Sequence, residues 1–191
     1  MRARLAATAL AVFLLPWSAT ADERAAPISV GGLLPDIEAT SLQGEPVSLR
    51  KATAEHKAVV VLFLSTVCPY VNYFAGHLRE MAESYGPRGV LFIGVNSNNW
   101  ESGGEVTEHA RERGFTFPII KDEGHRIADE LHASRTPEAF LVDAKGRLRY
   151  RGWVKSKQES PDLQRALDSV LAGRPVRKPV TKAFGCAVDR Y

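Results

Sequence analysis

The run Ala58-Val-Val-Val-Leu-Phe-Leu64 constrains this chain more than any other segment, because it is unbroken, apolar and rich in β-branched residues. A strand with no polar face has to be covered on both sides, as in the centre of a parallel or mixed sheet layered by helices. Cys68-Pro69 follows closely, and then Val71, Phe74, Leu78, Met81 and Tyr85 recur at spacings of three and four. That period lines one face of a helix toward a core, and Gly86-Pro87 closes it. A buried strand feeding a helix through a Cys-Pro junction is the frame on which the rest must fit.

The remaining segments fit it. Val90–Val95 is a second buried strand, stopping at the polar run Asn96-Ser97-Asn98-Asn99. The pattern predicts a helix over Glu105–Arg113, a short extended piece over Phe117–Ile120 and a helical stretch over Ala128–Ala133. Ala139–Val142 and Leu148–Arg151, joined by Asp143-Ala144-Lys145-Gly146, read as a hairpin, and Gly44-Glu45-Pro46 breaks an earlier pair of short segments in the same manner. A last helix is expected from about Pro161 to Leu171. Strand, helix, strand, helix, hairpin and closing helix predict an α/β fold, a central mixed sheet flanked by helices.

Arg2 and Arg4 precede an apolar run from Leu5 to Leu15, followed by Ala19 and Ala21 with the spacing a signal peptidase requires. The run is shorter than the roughly 20 residues a bilayer span needs. The expected organisation is a signal peptide over residues 1–21 cleaved after Ala21, a domain over 22–172, and a tail over 173–191. An uncleaved membrane anchor is the competing reading. Loss of the two arginines takes most of the +3 charge of the full 191-residue chain with it, so basicity does not imply nucleic acid. The expected location is periplasmic or secreted, with no stable membrane insertion after cleavage.

Such a compartment is oxidising, and the chain carries two cysteines, Cys68 and Cys186. Pro69 suits the first position of a helix, where its missing N–H costs nothing, so Cys68 becomes the N-cap. There the helix dipole and free backbone N–H groups favour thiolate over thiol. The competing reading is a buried, inert cysteine.

Val60-Val-Leu-Phe-Leu-Ser-Thr-Val-Cys68-Pro69, Thr136-Pro137 before a strand and the Asp143–Gly146 hairpin resemble the thioredoxin superfold, and within it the redoxin branch of alkyl hydroperoxide reductase and thiol-specific antioxidant relatives. Leu34-Pro35-Asp36, Gly44-Glu45-Pro46-Val47, Leu171–Val176 and Gly185-Cys186 are similar to a group of exported bacterial redoxins. The resemblance implies thiol-based oxidoreductase activity through Cys68, by disulfide exchange, peroxide reduction or both. Thioredoxins would place a second cysteine where Ser65 stands. A hydroxyl there is similar to peroxiredoxins, in which it hydrogen-bonds the peroxide. Against a peroxiredoxin, Val61 replaces an expected proline and Pro137 an expected arginine. Thr136-Pro137 resembles instead the cis-proline loop that pairs with a substrate backbone, and Arg135 could supply the missing charge or be a solvated side chain. Ser65, Thr66, Pro69, Arg135, Thr136 and Pro137 are the expected substrate contacts.

About 15 residues separate Leu171 from Cys186, and an extended chain reaches ~3.3 Å per residue, so the tail can reach Cys68 across a domain with a radius of gyration near ~15 Å. Paired, the two cysteines would form either a staple, worth roughly 4–5 kcal/mol in the chain-entropy model, or a labile bond with Cys186 as resolving cysteine. His56, His77, His109, His125 and His132 make no metal-ligand spacing with a cysteine, and Asn72 stands where a thioredoxin-like copper chaperone would carry a second one. No cofactor is expected. Tyr70, Tyr73, Trp100 and Trp153 would line a site or, the favoured reading, pack in the core or at the rim. Protein disulfides or small peroxides are the expected substrates, and an extracytoplasmic thiol the reductant. The alternatives are a redox-inert binding module and a copper-handling protein.

Overall fold

The computed structural model describes residues 28–155 and 161–189, so the expected signal sequence lies outside the described residues. The chain enters through the antiparallel pair β1 (Glu38–Thr40) and β2 (Pro46–Ser48), where the early break at Gly44-Glu45 was expected. Helix α1 (Leu49–Glu55) follows, capped by Ser48, whose hydroxyl accepts from the Lys51 N–H. Then come β3 (Ala58–Phe63), α2 (Pro69–Tyr85), β4 (Val90–Asn96), α3 (Gly103–Arg113), β5 (Ile119–Lys121) and α4 (Arg126–Glu130). The chain continues through β6 (Arg135–Thr136), β7 (Glu138–Asp143), β8 (Leu148–Gly152), α5 (Asp162–Leu171) and β9 (Cys186–Ala187).

The main sheet has the order β5-β4-β3-β7-β8. Strand β3 pairs parallel with β4 and antiparallel with β7, so it sits at the centre, and every residue of it is buried. Successive side chains point to opposite faces, and the core divides accordingly. Val60 and Leu62 pack with Val71, Leu78 and Leu167 from α2 and α5. Val59, Val61 and Phe63 pack with Leu49 and Ile127 from α1 and α4. This is a mixed five-stranded sheet flanked by helices, the thioredoxin-like arrangement. Each large aliphatic side chain so buried contributes roughly 1.5–3 kcal/mol of transfer free energy, which makes β3 and α2 the firmest part of the molecule.

The β7–β8 turn forms because the Asp143 carboxylate accepts from the Lys145 and Arg147 N–H groups while Gly146 takes φ 72°. Two elements differ from the sequence expectation. The helical stretch expected to reach Ala133 ends at Glu130, because His132 adopts φ 50°, and α1 had not been anticipated. After α5 the chain doubles back along β8. The Arg151 N–H donates to Pro179 O at 2.9 Å, and the Thr181 N–H donates to Arg151 O at 3.0 Å. Among the described residues no helix is long and apolar enough to cross a membrane.

Candidate redox site

Strand β3 delivers the chain to the end of the sheet, where a short loop turns it into α2. Cys68 is the N-cap of α2, with extended backbone (φ −68°, ψ 115°) and Pro69 in the first helical turn. Its side chain is fully buried. Its thiol donates to the Thr136 carbonyl at 3.0 Å, and the Thr136–Pro137 bond is cis. The cis-proline loop therefore lies against the cysteine, as the resemblance implied.

Cys186 arrives from the other end of the sequence. Strand β9 pairs antiparallel with β6, with Thr136 opposite Cys186 and Arg135 opposite Ala187. This approach requires Gly185, which has φ 152°: a Cβ on it would lie 2.0 Å from the Thr136 carbonyl oxygen. On the near side of Cys186, Phe184 packs edge-on against Tyr70 and Trp153, with ring centroids 5.1 and 5.5 Å apart. On the far side, Val188 is buried in the second core, its N–H donating to Ser134 O at 3.1 Å. The Asp189 N–H donates to Asn98 Oδ1 at 2.9 Å, and His125 Nε2 bonds the Asp189 carbonyl at 2.7 Å.

The two thiols face opposite electrostatics. Burial pushes the Cys68 pKa up, but hydrogen bonds from the Cys186 thiol, the Thr136 side chain and the Val71 and Cys186 N–H groups more than offset it, and the net value is lowered. The Thr136 hydroxyl is buried and makes no other hydrogen bond, so its proton is available to a Cys68 thiolate. Cys186 is pushed up to about 11 by burial and by its hydrogen bond and charge interaction with Cys68, with Arg135 partly opposing. One proton shared between these sulfurs therefore resides on Cys186.

Beneath the loop lies a carboxylate that the sequence reading missed. Glu101 is about 1% exposed. It accepts from Ser65 Oγ at 2.7 Å, the Thr66 N–H at 2.7 Å, Asn96 Nδ2 at 2.7 Å and Asn98 Nδ2. Burial works against the charge, but these four donors hold its pKa below the ordinary carboxylate value. The polar run that ends β4, followed shortly by an acid, was the available signal.

The expected contact residues divide accordingly. Ser65 is at the base of the loop, with its hydroxyl committed to Glu101 rather than aimed outward. Thr66 uses its backbone, its N–H on Glu101 and its carbonyl accepting from Asn72 Nδ2 at 3.0 Å. Pro69 is exposed at the helix start. Arg135 is exposed and reaches the Gly185 carbonyl at 3.4 Å, on the tail side of the site. Asn72 bridges Thr66 to His109 Nε2, 2.8 Å away. Tyr70 and Trp153 pack beneath Phe184, whereas Tyr73 and Trp100 are exposed, as is Val67 beside Cys68. Among the described residues no three His, Cys, Asp or Glu side chains converge to hold a metal.

The Redoxin family model matches residues 29–167, a stretch that contains Cys68 and the cis-proline loop and ends before the tail. This chain is a redoxin. It is 30% identical over 107 residues to the thiol-disulfide oxidoreductase ResA of Halalkalibacterium halodurans, an alignment covering 56% of the redoxin and 58% of that relative. Among solved structures, a hypothetical protein from Sinorhizobium meliloti superposes with a TM-score of 0.79 at 26% identity, covering 87% of this chain and 96% of that one. A conserved protein from Geobacillus kaustophilus gives 0.78 at 28% identity, covering 85% and 92%. Cys186 lies outside the stretch that the family model matches.

Proposed function

We propose that this redoxin is an exported thiol-disulfide oxidoreductase in which Cys68 attacks and Cys186 resolves. The observation that carries the reading is two cysteines of opposite proton affinity brought together at Thr136, whose carbonyl accepts from Cys68 and whose strand pairs with that of Cys186, with Cys68 favoured as thiolate and Cys186 held as thiol. The Cys68 thiolate attacks one sulfur of a substrate disulfide. That S–S bond breaks, one half leaves as thiolate and the other stays on Cys68 as a mixed disulfide. The Cys186 thiol gives its proton to the departing thiolate and attacks the Cys68 sulfur. The Cys68–Cys186 bond forms and the second half leaves as a thiolate, which takes back from solvent the proton that Cys68 released on ionising. Two cysteine thiols are oxidised and one substrate disulfide is reduced to two thiols; an external thiol reverses the change in the enzyme.

Disulfide is favoured over peroxide because the Ser65 proton is committed to Glu101 and the Arg135 side chain turns to the tail. Export rests on Arg2, Arg4, the apolar run and Ala19/Ala21, and intact mass of protein from the native host, starting at Asp22, tests it. For the chemistry, the reduced chain is mixed with one equivalent of a small disulfide and quenched with acid. The expected product is the intramolecular Cys68–Cys186 bond, replaced in Cys186→Ser by an accumulating Cys68 mixed disulfide. Exchange that survives Cys68→Ser overturns the reading, and purely intermolecular bonds remove Cys186 from it.

A further inference from the structure

The cis-proline loop of this redoxin has a backbone edge, at Arg135 and Thr136, to which an extended polypeptide could add as a strand. That edge is occupied. The chain's own β9 pairs there, in antiparallel register, with a cysteine opposite Thr136 and its sulfur at the Cys68 sulfur. A polypeptide disulfide docking on the same edge would put its own cysteine in the same place.

Building on the disulfide-exchange reading, we infer that the tail is a resident substrate mimic that reserves the Thr136 edge, so the enzyme selects low-molecular-weight disulfides over polypeptide disulfides, with Gly185 as the residue that sets this selectivity. Three observations support it. First, the tail is fastened on both sides of Cys186, by Phe184 on Tyr70 and Trp153 and by Val188 in the core. A competing strand has to displace both fastenings, whereas a small disulfide needs only the Cys186 side chain to move aside. Second, Cys68 is fully buried while Cys186 is only half-buried, so the mimic itself stands over the nucleophile. Third, the close approach depends on a glycine before the cysteine. A Cβ at that position would lie 2.0 Å from Thr136 O, at a φ of 152° that other residues rarely adopt. An incoming chain with any other residue before its cysteine cannot dock as deeply as the tail does.

The test uses the full chain in single turnover at one pH with two probes that share a leaving group: 2-hydroxyethyl disulfide, and an extended ten-residue peptide whose single cysteine is a mixed disulfide with 2-mercaptoethanol. Wild type is expected to react at least tenfold faster with the small probe. Gly185→Ala, which keeps both cysteines and pushes β9 off its edge, is expected to narrow that ratio at least fivefold by speeding the peptide. Val188→Ser, which loosens the far fastening, gives the same readout if Gly185→Ala does not fold. Equal rates in wild type, or an unchanged ratio in the folded variant, overturn the inference while leaving disulfide exchange intact. Failure of Cys68 to react with either probe overturns the exchange reading beneath it.

Discussion

The two cysteines meet at one point but are mounted differently. Cys68 sits where the central strand β3 runs into the 17-residue helix α2, both inside the main core. Cys186 sits on a two-residue strand of a separate small sheet, held by one buried valine, the packing of one phenylalanine on two aromatic rings and a few hydrogen bonds. A nucleophile benefits from a fixed position and a fixed set of donors. A resolving group has to yield its place to a substrate and return. The difference in mounting matches the division of labour proposed above, with more of the packing at the thiol whose pKa is lowered and less at the one proposed to move.

The comparison breaks most visibly if both mounts are cut back. Leu78→Ala, on the buried face of the helix that Cys68 caps, is expected to cost about 2–5 kcal/mol, whereas Val188→Ala removes roughly two methyl groups, about 1.5 kcal/mol at ~0.8 each. Denaturant unfolding reads the first as a large drop in midpoint. Hydrogen exchange reads the second as lost protection confined to Ala187–Asp189. Equal global destabilisation by the two would show the tail to be part of the core's cooperative unit.

Glu101 joins the mounts, because its partners Ser65 and Thr66 lead into Cys68 while its partner Asn98 accepts from Asp189. Glu101→Gln sets an amide N–H₂ against donors and is expected to cost about 1–3 kcal/mol, with both the loop and the tail exchanging faster. The same carboxylate gives an acid limb. Its folded pKa lies below the unfolded value of about 4.3. Its contribution is therefore complete above that pH and is lost as pH falls through the lower folded value. An acid titration that is flat for wild type and Glu101→Gln alike would remove this linkage.

At the alkaline end the sign is opposite. Cys186 is raised to about 11, so its contribution is present below the unfolded thiol value of about 8.5 and is lost as pH rises toward the folded one. A second thiolate beside Cys68 then pushes β9 away. Exchange and proteolysis of the reduced tail should rise in that window, and Cys186→Ser should abolish the effect. The smallest effect is expected at Thr136. Thr136→Val removes a hydroxyl that favours the thiolate, so the midpoint of Cys68 alkylation against pH should move up, with the fold unchanged. A midpoint that stays put would leave the backbone N–H groups and Cys186 as the donors that matter.

The mount of Cys68 was legible in the sequence and that of Cys186 was not, for a physical reason. An unbroken apolar run and a 3.6-residue period report burial residue by residue, so β3, α2 and the β7–β8 hairpin could be located from them. Helix α1 is only seven residues long, too short for a period to stand out, and His132 ends α4 by a backbone conformation that no hydrophobic pattern encodes. The β6–β9 pairing joins residues some fifty positions apart through two-residue strands. The sequence could give the tail's reach, but not its register. Glu101 was missed because its burial depends on donors from two separate segments, of which the sequence displays only the amide run that closes β4.

The return of the chain along β8 has a further bearing on solution behaviour. Strand β8 lies at one edge of the five-stranded sheet, and residues 179–181 occupy part of that edge through the hydrogen bonds to Arg151 and the parallel bridge from Arg151 to Val180. The opposite edge, β5, is likewise covered where Ser41 bridges Ile120 and the Leu42 N–H donates to Ile119 O. An uncovered edge strand offers free N–H and C=O groups to any neighbouring chain. A redoxin cut back to residue 172 would therefore lose more than its second thiol: it would expose a sticky margin, and self-association of that shortened chain is the price of removing its guard.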